Sequence, residues 1–407
     1  VWDALPAARL VGGAVRDRLA GLAVADIDLA VPLAPEVVMR RLQAAGVKVV
    51  PTGLAHGTVT AVSEGVPFEV TSLRRDVRTD GRWAEVEFVD AWEEDAARRD
   101  FTINAMSAAR DGTVFDYFGG QADLAAGRVR FVGEAARRVA EDYLRIFRFF
   151  RFFARFGRGA PDAEALAAIT AGRGGVAGLS VERVWSEMKR ILQAPAPVEA
   201  VALMEATGVL GMVGEGGAVE RLRALVAAGA PADPLLRVVG LFGAQSEALA
   251  ARMKASAVEC STLAALATAA SLTPAADGAA IRRALADDDA EMLIRRSWLS
   301  GEPTGEWDDL RRRIAAAQKP VFPLQGRDLA ALGMAPGPAM GLVLARVRAW
   351  WLAGGCVADR AACLARARSD GDADAELDDA IRGDSKELGG GDGVAGHEEE
   401  GPAAQES

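Results

Sequence analysis

Cysteine and histidine are scarce in this chain of 407 residues, and each scarcity removes a class of chemistry. Cys260, Cys356 and Cys363 show no metal-ligand pairing and no even disulfide count, so they read as scattered reduced thiols. With only His56 and His397 present, zinc hydrolase chemistry and histidine-based triads lack material. No apolar run approaches the roughly 18 residues a membrane helix needs, and no charged-then-apolar signal opens the chain. A soluble, cytoplasmic protein with no membrane partner is expected. The chain opens on Val1 rather than methionine, which predicts a preceding stub.

A surplus of positive charge is also missing, but unevenly. The formal net charge is −10, yet from Ser369 onward 13 acids face only Arg382 and Lys386. Without that tail the chain carries 45 basic and 44 acidic side chains, so overall charge does not exclude a nucleic-acid partner. At this length two or more packed units are expected. Residues 369–407 have little apolar content and read as a disordered, solubilising acidic tail.

The first ~125 residues mix strand and helix periodicities. Arg9 to Val11 reads as a short strand ending at Gly12-Gly13, with a helix from Ala14. Asp26 to Val31 alternates as a strand and Glu36 to Ala45 as an amphipathic helix. Thr58 to Val62 and Phe68 to Leu73 read as paired strands turning near Glu64-Gly65. From Ala125 strand signals almost vanish, and helical stretches such as Val184 to Leu192 and Val198 to Ala206 continue to about Ala353. The pattern predicts an α+β head, a mixed sheet with flanking helices, followed by an all-α remainder.

Asp26 and Asp28 lie two apart in a strand pattern, which sends both carboxylates to one face. Such a pair chelates divalent cations, above all Mg²⁺ bridging substrate phosphates. Gly12-Gly13, at a strand-to-helix turn just upstream, lets main-chain N–H groups approach a phosphate, and Arg16 adds a phosphate contact. Glu69 supplies a candidate third carboxylate, either completing the metal site or accepting the attacking hydroxyl's proton; an ordinary exposed strand glutamate is the competing reading. The charged run Arg98-Arg99-Asp100 before Phe101 suggests a substrate-facing edge, or simply a helix end followed by a strand. Asp142, Arg145, Arg148 and Arg151 recur every three residues, a rotating ridge on a helix whose other side is phenylalanine. An Asp–Arg pair there can read a base edge, the carboxylate accepting from an exocyclic amine and the guanidinium donating to a ring nitrogen. Adenine and cytosine offer that combination; uracil and guanine do not. A salt-bridged surface helix is the plain alternative.

Taken together, Gly12-Gly13-Ala14-Val15-Arg16-Asp17, Asp26-Ile27-Asp28, Arg98 to Ala105, Glu141 to Phe152 and Glu182 to Met188 resemble, in family order, the class II CCA-adding enzymes and poly(A) polymerases of the polymerase β-like nucleotidyltransferases. The resemblance covers roughly residues 9–190. It implies a seahorse-like chain: a nucleotidyltransferase head over 1–125, a base-recognising neck over 126–192, a body over 193–290 and a tRNA-binding tail over 291–368, ahead of the acidic 369–407. It implies that Asp26 and Asp28 bind two Mg²⁺, that Gly13, Arg16 and Arg99 contact the nucleotide, and that Asp142 and Arg145 select the base. Arg148 and Arg151 would stand near the triphosphate or hold that helix. The segment Asp76 to Phe88, with Asp80-Gly81-Arg82, resembles a flexible loop linked to switching from C to A addition, and Thr52 to Thr60 resembles the tRNA enzymes. Gly326 to Pro338 resembles family tail regions, where a Gly-Pro turn suits backbone contact with RNA. The implied activity is template-independent addition of C, C and A from CTP and ATP to the tRNA 3′ end, with no obligate protein partner. A poly(A) polymerase, a partial CC- or A-adding enzyme and, in another class, an inactive RNA-binding module are the rival expectations.

Overall fold

The computed structural model describes residues 1–370 other than 25, 55–56, 80–83, 269–271 and 301–303. Of the tail expected to be disordered over 369–407, Ser369 and Asp370 instead lie in a helix, while 371–407 lie outside the described residues, as do Asp80-Gly81-Arg82 and His56 within Thr52 to Thr60.

All nine strands named below precede residue 116, and helices dominate afterwards, so the expected α+β-then-α order is what the chain adopts. In chain order the first part runs β1 (Arg9–Val11), α1 (Gly13–Leu19), β2 (Asp28–Val31), α2 (Pro35–Ala44), β3 (Lys48–Gly53), β4 (Thr58–Ser63) and β5 (Val66–Ser72). Then come β6 (Arg74–Thr79), β7 (Ala84–Phe88), α3 (Trp92–Ala97), a 3₁₀ turn at Thr102–Asn104, β8 (Ser107–Ala108) and β9 (Val114–Phe115). Seven strands form one mixed sheet in the order β3-β4-β5-β2-β1-β8-β9, and β6 pairs with β7 separately. Within it β2 and β5 run parallel while the other pairs are antiparallel.

Period-two alternation decides what each face buries. Leu29 and Val31 of β2 join Val59, Ala61 and Val70 under Val38 and Leu42 of α2, whereas Ala30 turns to the opposite face with Val11 and Leu73. The β4–β5 hairpin turns at Glu64 and Gly65, whose φ of 54° and 79° give the two left-handed positions that suit the twist of the strands. The expected strand from Asp26 is shorter than its alternation predicted: the ladder starts at Asp28, and Asp26 is exposed ahead of it. One main-chain bond, from Glu69 N to Ile27 O at 3.2 Å, marks where pairing stops.

Next come α4 (Gly120–Ala126), α5 (Ala135–Glu141), α6 (Leu144–Phe156), α7 (Ala163–Gly172) and α8 (Val181–Gln193). The phenylalanines of α6 anchor it: Phe147, Phe149 and Phe150 are fully buried, and Phe149 stacks with Phe131 while Phe152 meets Phe101 edge-on. The chain divides into two compact units, Val1–Ala269 with Trp298–Pro303, and Ala270–Ser297 with Thr304–Ser407. The second unit has two cores of its own, one around Ile281, Leu285, Leu310 and Ile314, the other around Leu329, Val347, Trp351 and Cys363. Gly326 to Pro338 comprises the helix Gly326–Ala330 and a turn into the helix Pro338–Ala353. All three cysteines are unpaired. No helix among the described residues is long and apolar enough to cross a membrane.

The segment Phe115 to Leu124 braces the sheet edge. Asp116 accepts from the N–H groups of Gly120 and Gln121 at 2.8 and 2.9 Å, which fixes the start of α4. Asp123, buried one turn later, accepts from Thr102 Oγ1 at 2.7 Å and Arg130 Nε at 3.0 Å. Gly120 lies so close to the 3₁₀ turn that an added Cβ would sit 2.2 Å from the carbonyl oxygen of Thr102. Gly120→Ala is expected to cost about 3 kcal/mol through this overlap with backbone, read as a lowered urea midpoint.

Candidate nucleotide and metal site

Parallel pairing of β2 with β5 sets Asp28 directly beside Glu69. Side chains in register on neighbouring strands share a face, so two carboxylates are forced together without any long-range coincidence. Asp28 is half-buried and Glu69 exposed. Burial first, then the charges of Glu69 and Asp26, push the Asp28 carboxyl above the usual carboxylate range, with Arg99 opposing them. Asp26 therefore acts on Asp28 from the exposed segment before the strand, not from the next alternate strand position that the sequence pattern predicted.

β1 delivers the chain to Gly12, whose φ of 61° only glycine adopts at little cost. A Cβ there would lie 2.9 Å from Arg99 Nη1, so the guanidinium lies close over the turn. Arg99 is held by Asp95, whose Oδ2 accepts from its Nη2 at 3.0 Å, and Arg98 takes the other oxygen, Nε donating to Oδ1 at 2.9 Å. Burial raises the Asp95 carboxyl, but the two arginines outweigh it and hold it below its usual range. Gly13 is less constrained: its nearest foreign atom to an added Cβ is Arg16 Nη2 at 3.6 Å.

Arg16, expected to reach a phosphate, is instead buried and already occupied. Its Nη1 donates to Asn104 Oδ1 at 2.6 Å, and Nε and Nη2 both donate to Asp17 Oδ1, at 2.9 and 2.8 Å. Its guanidinium also lies 5.0 Å and 4.7 Å from the ring centroids of Phe152 and Phe156. Asn104 in turn donates from Nδ2 to Asp100 Oδ1 at 3.0 Å. Asp100 also accepts from Phe101 N at 2.9 Å and from Arg148 Nε at 2.6 Å. Those bonds make the segment after Arg98 a 3₁₀ turn, where the charge-then-apolar pattern had suggested a strand.

The expected ridge of Asp142, Arg145, Arg148 and Arg151 does not lie on one helix. Asp142 stands in extended backbone between α5 and α6, where its Oδ1 accepts from Leu144 N at 3.0 Å. Asp142 also does not pair with Arg145: its Oδ2 accepts from Arg183 Nη2 of α8 at 3.0 Å. Arg145 Nη1 donates to Glu141 Oε2 at 2.5 Å and to Arg138 O at 3.0 Å. Arg151 Nη1 donates to buried Glu187 at 2.9 Å, and burial lowers the guanidinium to about 10, against the pull of Glu187. Sequence reasoning missed Asp95, Asp100, Asn104, Glu141, Arg183 and Glu187. All but Asp95 stand inside the family-like motif runs. Asp95–Arg99 and Glu141–Arg145 are i,i+4 pairs that helical spacing could have flagged. Asp100, Asn104, Arg183 and Glu187 reach partners in distant segments, for which spacing carries no signal.

Among the described residues no three His, Cys, Asp or Glu side chains converge as a ready-made metal cage. A dyad of Asp26 and Asp28 with Glu69 nearby suits a hard cation that keeps waters and substrate oxygens in its shell. Burial first, and the neighbouring carboxylates second, disfavour the charged Asp28 carboxylate, and a bound cation would favour it.

A family model described as "Poly A polymerase head domain" matches residues 8–130, and one described as "Probable RNA and SrmB- binding site of polymerase A" matches 160–213. Over 187 residues the chain is 48% identical to the mouse protein named CCA tRNA nucleotidyltransferase 1, mitochondrial. That match spans 45% of this chain and 43% of the mouse protein, less than half of either. A CCA-adding enzyme of Levilactobacillus brevis is 30% identical over 355 residues, 83% of this chain and 87% of the relative. The crystal structure of the Bacillus stearothermophilus CCA-adding enzyme in complex with CTP superposes with a TM-score of 0.74 at 29% identity, covering 91% of this chain and 94% of that one.

Burial pushes the Asp100 carboxyl up, while Arg148, Asn104 and the Phe101 N–H pull it further down, so it ends below its ordinary 3.8. A depressed carboxylate stabilises the fold fully above that unfolded value and loses its contribution as pH falls through the folded one. Asp100→Asn is expected to cost about 3 kcal/mol at neutral pH, toward the low end for a broken buried pair because Arg148 keeps some solvent contact. Urea midpoints should show the gap between wild type and variant narrowing as pH falls below 3.8.

Proposed function

The chain belongs to the CCA-adding enzyme family, and from that premise we propose that it adds C, C and A, from CTP and ATP, to the 3′ end of tRNA without a nucleic-acid template. The observation that carries this reading is the carboxylate pair: Asp28 set beside Glu69 by strand register, next to the Gly12 turn and Arg99. The head over 1–125 is assigned the chemistry, the neck over 126–192 the choice of base, and the body and tail over 193–290 and 291–368 the holding of RNA.

In the proposed reaction the tRNA 3′-hydroxyl attacks the α-phosphate of the nucleotide and pyrophosphate leaves. Asp26 and Asp28 would hold two Mg²⁺. When bound, such ions activate the attacking hydroxyl and neutralise charge on the leaving oxygens. Glu69, exposed beside Asp28, either adds to that ligand set or takes the hydroxyl's proton. Gly13 leaves room for the phosphates, and Arg99, fixed by Asp95, neutralises them at the Gly12 turn. Arg16, Arg148 and Arg151 act mainly by holding α1 and α6 in place through Asn104, Asp100 and Glu187.

Base choice is assigned to Asp142 and Arg145. A carboxylate has about four acceptor sites, and Leu144 and Arg183 occupy one on each oxygen of Asp142, which leaves capacity for an exocyclic amine. Arg145 commits Nη1 to Glu141 and the Arg138 carbonyl, and its other guanidinium N–H groups are assigned to a ring nitrogen. Arg183 and Glu141 therefore orient the pair, so that neither side chain spends rotamer entropy when a base arrives. Uracil and guanine leave these groups mismatched, at a cost far above that of a missing methylene.

Three tRNA transcripts, ending before CCA, after C and after CC, test the reading when each is offered labelled CTP and ATP separately. Stepwise incorporation that stops after A is expected. Incorporation of ATP alone onto any RNA would make the protein a poly(A) polymerase, and a product stopping at CC a partial enzyme. Asp26→Ala and Asp28→Ala should each lower kcat at least about a thousandfold while tRNA binding survives. EDTA should stop wild-type turnover and Mg²⁺ restore it. Asp142→Ala should erode the preference for A and C over U and G; intact selectivity in that variant would remove Asp142 from base reading.

A further inference from the structure

Along α6 runs a groove whose walls include the struts Arg16 and Arg151 but also Leu22, Arg155, Arg158 and Arg190, which none of the chemistry above uses. Two cavities of about 510 and 600 Å³ adjoin there and share Leu22 and Arg155 in their walls. The first is also lined by Arg16, Arg151 and Arg190, the second by Arg158, and neither has an aspartate or glutamate in its lining.

The carboxylates nearby are already committed. Asp17 lies 2.8 Å from Arg16 but 4.0 Å from Arg155, and Glu187 lies 2.9 Å from Arg151 but 3.6 Å from Arg190. Arg158 donates from Nη2 to the carbonyls of Leu124 and Ala125, at 3.2 and 3.1 Å, bonds that leave its charge uncompensated. Two carboxylates thus serve five guanidinium groups. The side chains of Arg155 and Arg190 are 48% and 58% exposed, so the surplus charge faces solvent. Leu19 and Leu22, about two-fifths exposed, add an apolar wall.

A positive, partly apolar trough suits a polyanion with sugar and base surfaces better than it suits a small anion, which needs no apolar wall and would engage one chamber only. Two residues of its wall are joined along the chain to the carboxylate site. Leu22 belongs to the loop between α1 and β2 that carries Asp26, and Arg16 stands on the helix that starts at the Gly12-Gly13 turn.

We propose that this groove carries the phosphodiester backbone of the acceptor RNA's 3′ strand, with Arg155 and Arg190 contacting phosphates and Leu19 and Leu22 lying under the sugar and base surfaces. The proposal rests on the reading that a tRNA 3′ end is the acceptor. Arg158, tethered to the α4 carbonyls, sets the far wall and adds its charge.

The test uses the full chain, tRNA lacking CCA, and the variants Arg155→Ala, Arg190→Ala and their double, with Arg155→Lys as the charge-keeping control. Binding is measured by anisotropy over a series of KCl concentrations. Each phosphate contact removed should make the slope of log K against log salt shallower by about 0.7 to 0.9. For the double variant the KM for tRNA should rise about tenfold while the KM for CTP moves less than about twofold. Arg155→Lys should keep most of the slope, and thermal melts should show every variant folded. Unchanged tRNA affinity and slope in the double variant would overturn the proposal, as would a raised KM for CTP with tRNA affinity intact, which would make the trough a nucleotide site. A wild type that binds no tRNA, or extends it with ATP only, would instead overturn the tRNA reading and the groove assignment together, and that is visible before any variant is made.

Discussion

Everything around the proposed site hangs on one enclosed carboxylate. Asp100 is buried, and an isolated charge there would be intolerable, so the chain must bring it partners. It does so from three directions: the main chain of Phe101, the amide of Asn104 and the guanidinium of Arg148. Asn104 then has its oxygen left for Arg16. A single electrostatic necessity thereby ties α1, the 3₁₀ turn and α6 into one body. The strands that carry Asp28 and Glu69 and the helix that carries Arg145 and Arg148 cannot drift apart without exposing that charge to an unpaired state.

How much of this was legible depends on the range of the interaction. Local rules worked. The Glu64-Gly65 turn, the short strand into Gly12-Gly13 and the loss of strands after residue 125 follow from turn chemistry and periodicity, and they appear as expected. The Asp26 to Val31 strand was overextended because alternation continues in sequence past the point where the neighbouring strand stops pairing. The arginines were harder to read. A guanidinium written every third residue looks the same whether it faces a ligand or a buried acid, and only the fold reveals Asp100 under Arg148 or Glu187 under Arg151. Asp142 misled for a similar reason: the spacing continues the helical ridge backwards, but its carboxylate captures the Leu144 N–H and the chain bends before α6 begins.

The result is a division of labour within one basic stretch. Arg148 and Arg151 are neutralised by buried acids and serve as struts, with pairs whose partners lie in distant segments. Further along α6 Arg155, and on the neighbouring α8 Arg190, have only long, shared contacts with carboxylates and keep their charge turned outward. Composition alone treats these residues as equivalent. Burial separates them, because a paired interior charge is already saturated while a solvated one can still exchange its counterions for a ligand.

The strand order carries a last consequence, for the order of assembly. β1 lies between β2 and β8, so the edge of the sheet closes only once the chain has reached Ser107, and the α6 strut that holds Asp100 arrives later still. These are pairings of high sequence separation, the kind that forms slowly because a long loop must close first. While the chain is emerging from the ribosome, both aspartates are synthesised well before β5, β8 and α6 can complete their surroundings. The arrangement around these carboxylates is therefore assembled late in synthesis, after the α6 stretch has emerged, so a chain interrupted before that point carries the two aspartates without the braced surroundings of the complete fold.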